Sequence, residues 1–512
     1  MLTNSRKMIV LLIFHAVWGI ALWLSISKYG LGVSTDSTSY LFSGANWIQG
    51  NGLVDYSGAQ YIYWPPLYPM LIGFLHAAGL SAFASAHAIQ FAGYTLLAYF
   101  SSVFFLKLFK DDFLFAFIGI FLLATGSIVV PSFHMVGTDY LFSIFPVIFV
   151  LLINAYAEKQ KWTTLTLIGL TVSLAMLTRY LGYALVLTAL LTVFCYTNGS
   201  TFKRILSSAW VGIFSIPPFF WMLQTWLATT GARRAPLSFG EYFSQFTVGM
   251  MAWFTTNVPN VNKLTAFDTI SVWGWVLLAI ILFFLLARKV KLFNPLIAST
   301  LVFGALYMTA LFGNALTAYF NRLWGRFQLP VYFPLIVLFL TVIGLGLRYL
   351  RENHSRAYYP FSAISFLFLA TLSAMQFNIT LGLMKNSYNG VIPENSINTR
   401  EINENSILQY WEENAPAGEF RIFGNYTALV AFHTEHEVYA SPRRSGVYDA
   451  TIVPIENYEN VLFANDEDVY LIWIEPNPYE HVYLPNEFSP IAKIETILEN
   501  EDGGIYLLHR LH

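Results

Sequence analysis

A chain of 512 residues that is 56% hydrophobic and only 11% charged is not a soluble globular protein, where roughly a quarter of residues carry charge. Its net charge of −2 conceals two parts: residues 1–384 carry 21 Lys and Arg against 9 Asp and Glu, a net of +12, and residues 385–512 carry 7 against 21, a net of −14. That distribution excludes a basic nucleic-acid footprint, and the single cysteine, Cys195, excludes an internal disulfide and a multi-cysteine metal site.

Apolar runs predict membrane-spanning helices near 8–27, 82–106, 113–130, 138–157, 162–178, 180–197, 205–228, 271–287, 292–312, 327–347 and 358–378. Arg6 and Lys7 precede the first run and no small-residue cleavage site follows it, so it reads as an anchor. With the N-terminus cytoplasmic, alternate loops carry Lys107 and Lys110, Lys159 and Lys161, Lys203 and Arg204, Arg288, Lys289 and Lys291, and finally Arg348, Arg351 and Arg356. This is the positive-inside pattern, and it places the residues after the last span outside. Leu67–Leu80 is apolar but too short to span, and counting it as a span would invert every later loop. It reads as a helix in the outer interface, as does Ser37–Gln49, with Trp47 as its anchor and Asp36 as its N-cap.

The expected fold is mainly α: a polytopic helical membrane body of about eleven spans over residues 1–380, with interfacial helices near 37–49 and 67–80, and a small extracytoplasmic α/β domain over 381–512. In that domain Glu419–Gly424, Asp468–Glu475 and Ile505–Arg510 read as strands and Ile397–Glu413 as a helix starting near an Asn. His433 and His436 flank Glu435 without a third ligand, which favours surface placement over a metal site. Residues 229–270 form a long aromatic loop of the kind that serves as a lid or binding loop.

Ionisable groups are scarce on the predicted outer face. The acids are Asp36, Asp55, Asp139, Glu241 and Asp268, and the bases are Lys28, Arg179, Arg233, Arg234, Lys263, Arg322 and Arg326. Such groups near membrane depth are costly and tend to serve function. Asp36 reads as an N-cap or as a reactive carboxylate. Asp139 beside His134 reads as another N-cap or as an orienting acid. Arg179, Arg322 and Arg326 read as snorkelling side chains or as a clamp for phosphate, which the planar guanidinium fork suits. Trp64 reads as an interface anchor or a stacking platform for sugar.

Five stretches occur in a set order. Asp36 and Tyr40 lie after the first span, then PPLYP (Pro65–Pro69), TDYLF (Thr138–Phe142), LTRYLG (Leu177–Gly182) and GRFQLPVYFP (Gly325–Pro334). In the tail, IFGNYTALVAF (Ile422–Phe432) follows. The pattern resembles the GT-C superfamily of membrane glycosyltransferases, most closely the family 39 type that includes protein O-mannosyltransferases and lipid A aminoarabinose transferases. It departs from many relatives in having Ser37, not a second acid, directly after Asp36.

The resemblance implies an integral-membrane enzyme that moves a hexosyl or pentosyl unit, with inversion, from a polyprenyl-phosphate donor to a hydroxyl of a lipid, glycan or protein acceptor on the non-cytoplasmic face. No cofactor is required, and a divalent metal is compatible with the resemblance without being supported by the residues. Asp36 is then the base that takes the acceptor proton, with Asp139 as a second acid. Arg179, Arg322 and Arg326 stabilise the departing phosphate, and Tyr40, Trp64 and His134 complete the binding site. Two other classes stay open at this point: a transporter or flippase of lipid-linked glycans, which would show internal repeats and midplane charges, and a non-catalytic membrane scaffold.

Overall fold

The computed structural model describes the chain except residues 1–3, 111, 230–235, 291–293, 318–322, 324, 393–395, 446–451, 465–467, 478, 480 and 512. It divides into two compact units. The first comprises Met1–Lys28, Ile62–Tyr68 and His87–Tyr388, and the second comprises Tyr29–Tyr61, Pro69–Ala86 and Asn389–His512.

The first unit is helical. Among the described residues seven helices are long and apolar enough to cross a membrane: Ser5–Ile26, Ala82–Leu108, Thr138–Lys159, Ala266–Arg288, Pro295–Ala315, Leu329–Asn353 and Ser355–Tyr388. An eighth candidate is the pair Thr201–Ile213 and Ile216–Ala228, bent by 55°. Pro217 and Pro218 lie at the bend and lack the N–H groups that would continue the first helix's bonding. The remaining three expected spans are shorter apolar helices, Phe113–Thr125, Trp162–Thr178 and Tyr180–Tyr196. The first of them stops at Gly126, where the backbone turns extended, and the rest of the 113–130 run becomes the separate helix Val129–Phe133.

Between helices, polar side chains find partners that lipid does not offer. The His15 ring meets Ser102 Oγ at 3.1 Å, Tyr94 OH donates to the His15 carbonyl at 2.6 Å, and Trp18 Nε1 donates to the Ala124 carbonyl at 2.9 Å. Two contacts bear on which loops share a side. Lys7 Nζ donates to the Lys110 carbonyl at 3.2 Å, and Gln160 Nε2 donates to the Tyr196 carbonyl at 2.9 Å. The N-terminal segment therefore lies beside the 107–112 loop, and the 158–161 loop beside the 196–200 loop, as the alternation of Lys-rich loops requires.

In the second unit the two short helices of the first loop are Thr35–Gln49 and, beginning at its end in the first unit, Leu67–Ala77. The expected cap is corrected: Ser34, not Asp36, caps Thr35–Gln49, in a reciprocal box with Ser37. Asp36 sits inside the first turn, where a carboxylate complements the helix dipole without closing the cap. The two helices cross backbone to backbone. A Cβ on Gly44 would lie 2.7 Å from the Pro69 carbonyl oxygen, and one on Gly73 would lie 2.7 Å from that of Gly44.

The remainder of this unit is a five-stranded sheet: β1 (Phe420–Gly424), β2 (Val438–Ala440), β3 (Asp468–Ile474), β4 (Ala492–Asn500) and β5 (Gly503–Arg510), in the order β2-β1-β3-β5-β4. The first three are parallel and the last two join antiparallel. Side chains alternate across it as the period of two demands. Ile422, Tyr470, Ile472 and Ile474 meet Trp411, Leu429 and Val430 on one face, and Phe423, Val469, Leu471 and Trp473 meet Leu462 and Phe488 on the other. The helix expected over 397–413 is two helices, Arg400–Asn403 and Ser406–Asn414, because Asn405 accepts from the Ile407 and Leu408 N–H groups and caps the second. The first loop joins this fold directly: Ile397 N donates to the Val33 carbonyl at 2.7 Å and Val438 N to the Tyr56 carbonyl at 2.9 Å.

Candidate active site

Asp139 lies in the first turn of the span that begins at Thr138, and Arg179 is the residue that ends Trp162–Thr178. A carboxylate at a helix N-terminus and a guanidinium at a helix C-terminus each complement the local dipole. The two form an ion pair, with side chains only 12% and 11% exposed. Removed from most water, each group depends on the other.

The Arg179 guanidinium also lies over the ring of Phe327, 5.2 Å from its centroid, and the Arg326 guanidinium lies 5.4 Å from the same ring. Phe327 therefore gathers two of the sequence-predicted cations, from segments 147 residues apart in the chain, around one aromatic face or edge. Its own position is fixed by backbone. Gly325 adopts φ +57, a left-handed conformation that glycine enters without cost, and Tyr307 OH donates to the Phe327 carbonyl at 3.3 Å. Gln328 is fully buried. It donates to the Phe246 carbonyl at 2.6 Å and accepts from Trp253 Nε1 at 3.2 Å. The long loop thus supplies a helix, Phe239–Met251, that holds the arginine turn.

Two further predicted residues in this unit are held tightly. Trp64 is half-buried, and its carbonyl accepts from Trp221 Nε1 at 3.1 Å, while that of Ile62 accepts from Thr225. Tyr68, in the same PPLYP run, is fully buried and lies against the Gly137 backbone, just before the turn that carries Asp139. His134 is 1% exposed, and both ring nitrogens are engaged, with Ser25 Oγ at 2.8 Å and Ser387 Oγ at 2.9 Å. It joins the ends of the first and last spans. Arg322, Arg233 and Arg234 lie outside the described residues.

Asp36 and Tyr40 belong to the second unit. Asp36 is half-buried; the Tyr56 phenol's pKa is raised first by burial, then by the charge of Asp55 and, after it, of Asp36. Tyr40 is buried edge-on against Tyr61, with ring centroids 6.3 Å apart. The other acids of the predicted outer face are tied locally. Asp55 Oδ1 accepts from Ser57 N, Ser57 Oγ and Ala59 N and holds a turn. Glu241 completes a capping box with Ser238, and Asp268 accepts from Thr265 at the start of its helix. Three of these five acids are thus tied within their own turn or helix start, while Asp139 is paired with Arg179 from another helix and Asp36 lies in the first turn of Thr35–Gln49. Among the described residues no group of three His, Cys, Asp or Glu is placed to hold a metal ion.

Phe327, Gln328 and Tyr307 were not evident as site residues in the sequence. Only the adjacency of Phe327 to Arg326 pointed to it, because aromatic residues are everywhere in this chain.

The fold is similar to solved structures over its whole length. ArnT from Cupriavidus metallidurans in the apo state matches with a TM-score of 0.62 at 12% identity, covering 99% of this chain and 98% of that one. The same protein bound to undecaprenyl phosphate matches at 0.60, again at 12% identity over 99% and 98%. The archaeal oligosaccharyltransferase AglB from Archaeoglobus fulgidus, in complex with an inhibitory peptide and a dolichol-phosphate, matches at 0.54 and 13% identity over 91% of this chain and 69% of that one. No family model matches the chain, and no curated protein matches its sequence. At these identities the likeness is one of fold.

Proposed function

With the GT-C fold as premise, we propose that this integral membrane protein is a glycosyltransferase that takes a hexosyl or pentosyl unit from a polyprenyl-phosphate donor and delivers it to a hydroxyl of a lipid, glycan or protein acceptor on the non-cytoplasmic face. The observation that carries the reading is the full-length match to a protein solved with undecaprenyl phosphate bound. The paired arginines support it. A guanidinium has five N–H donors, more than one carboxylate takes, so Asp139 orients Arg179 while leaving it able to serve a phosphate. Arg326, on the same phenylalanine ring, adds a second cation.

In the proposed reaction the acceptor oxygen attacks the anomeric carbon, and the bond from that carbon to the phosphate oxygen breaks. The polyprenyl phosphate leaves with its charge stabilised by Arg179 and Arg326. The acceptor proton passes to Asp36, and the configuration inverts. A phosphate needs no proton to leave, so one base suffices. Asp36 has this role by its place in the Asp-Tyr…PPLYP pattern. Trp64, Tyr40 and His134 act by shaping and fixing the segments that carry the chemistry, and the C-terminal unit lies on the non-cytoplasmic side.

The test is transfer from polyprenyl-phosphate sugars in native membranes or nanodiscs. Wild type transfers sugar; Asp36→Asn loses activity by about 10²–10⁴-fold. Arg326→Gln loses about 10²-fold or more. Full activity in Asp36→Asn removes it as the base, and no transfer from any such donor overturns the assignment of the chain.

A further inference from the structure

The sheet of the second unit has a topological switch point. From β1 the chain passes through the helix Thr427–Thr434 to β2 on one side, whereas β3, on the other side of β1, leads away toward β4 and β5. In open α/β sheets a crevice opens outside the carboxyl ends of the strands at such a point and is a preferred place for ligands. Here a cavity of about 150 Å³ lies there, lined by the segments that follow β1, β2 and β3 and by Thr35. Asn425 spans its floor: its side chain accepts from Ile474 N at 3.0 Å and donates to the Ile474 carbonyl at 2.8 Å, so the ends of β1 and β3 are held apart at a fixed distance.

The lining is chemically directed. The helix Thr427–Thr434 begins at this cavity, its first residues line it, and Tyr426, its N-cap residue, provides no side-chain cap bond to the first-turn N–H groups. Independently, Ser441 is 3% exposed and lines the same cavity, yet its Oγ has no hydrogen-bond partner among the described residues. A buried hydroxyl left without a partner is unfavourable, and a ligand oxygen would relieve it. Arg443, an exposed residue, is also part of the lining. Tyr426 and Tyr479 add an aromatic wall, with ring centroids 5.5 Å apart. One nearby acid, Glu475, is committed to Trp473 Nε1 and Asn477 N at 2.8 and 2.6 Å, and another, Asp36, adjoins the lining residue Thr35.

We propose that this crevice binds the phosphate monoester of a sugar-sized molecule, with the phosphate oxygens on the uncapped N–H groups, Ser441 Oγ and Arg443, and the attached ring beside Tyr426 and Tyr479. The assignment stands on the second unit alone and does not depend on the transfer reaction. The same chemistry is offered by a soluble sugar phosphate and by a membrane-borne phosphate headgroup.

Full-length protein in nanodiscs, dialysed against radiolabelled glucose 1-phosphate without any acceptor, tests it. Retention is expected, displaced by inorganic phosphate and not by methyl glucoside. Arg443→Gln weakens it about tenfold, and Ser441→Ala weakens it severalfold. Ser441→Ala keeps or raises the melting temperature, because it removes a group that has no partner. No retention at millimolar ligand, retention indifferent to both substitutions, or equal displacement by methyl glucoside overturns the site. Undecaprenyl phosphate in the nanodisc that competes assigns a membrane source, and failure to compete assigns a soluble one; both support the site. Ser441-dependent retention in a protein that transfers no sugar overturns the proposed function alone, and transfer without such retention overturns this proposal alone.

Discussion

Arg179 and Asp139 show what a single residue contributes here. Removing either one leaves its partner largely buried and without its counter-charge, which costs more than the pair itself is worth. Arg179→Gln is expected to destabilise the detergent-solubilised protein by about 3 kcal/mol, and adding Asp139→Asn to recover part of that, as read in thermal unfolding. A loss in the double variant equal to the sum of the two single losses would mean that the two do not interact. His433 gives a second residue-scale expectation. Burial lowers its pKa below the usual 6.5, against smaller opposing effects of the Ile397 carbonyl and Glu412. Its folded state therefore binds a proton less readily than its unfolded state. The contribution is full above 6.5 and is lost as pH falls through the window below it. The melting temperature of His433→Gln should change less than that of wild type between about pH 7.5 and pH 5.5. Residue types were legible in the sequence: Asp36, Asp139, Arg179 and Arg326 stood out because charge is scarce in an apolar body. Their pairing was not, since Asp139 opens one helix and Arg179 ends another, and nothing in either segment names the other.

At the scale of elements, the clearest features were those with a strong period. The two helices of the first loop were legible from their apolar spacing, and β1, β3 and β5 from apolar runs. β2 was missed because it has only three residues. β4 was missed because, as an edge strand with Lys493, Glu495 and Glu499, it is mostly exposed and presents little apolar signal. The cap of Thr35–Gln49 went to Ser34 over Asp36 because a capping box needs a partner three residues on, and Ser37 provides it. The crossing of the two loop helices turns on glycines whose role was invisible in one dimension. Gly44→Val should destabilise the second unit by about 3 kcal/mol, seen as earlier proteolysis of residues 29–61 in the intact protein, because neither the Pro69 carbonyl nor the Ile72 side chain beside it leaves room. Unchanged protease resistance would show that the crossing tolerates a wider separation.

For the molecule as a whole, composition was the strongest guide. The step from a basic apolar body to an acidic tail marked where a second fold begins, and a scarcity of charge marked the membrane part. What composition did not carry was the membership of residues 29–61 and 69–86, which read as appendages of the body and fold with the tail. Their polarity is intermediate, and the bonds that recruit them, from Ile397 N to Val33 and from Val438 N to Tyr56, use backbone groups that every residue type possesses.

That recruitment sets an order of events during synthesis. Thr38 bonds to the Ala428 carbonyl 390 residues further on, and a ribosome adding about 5–20 residues per second reaches that partner roughly 20–80 s after the first loop has been made. Until then the helix Thr35–Gln49 lacks the surface it covers, and its apolar face is open to chaperones and proteases. A chain ended after Tyr388 should therefore keep its spans but be cut readily within residues 29–61, whereas the full chain resists; equal resistance would show that the loop completes its own fold.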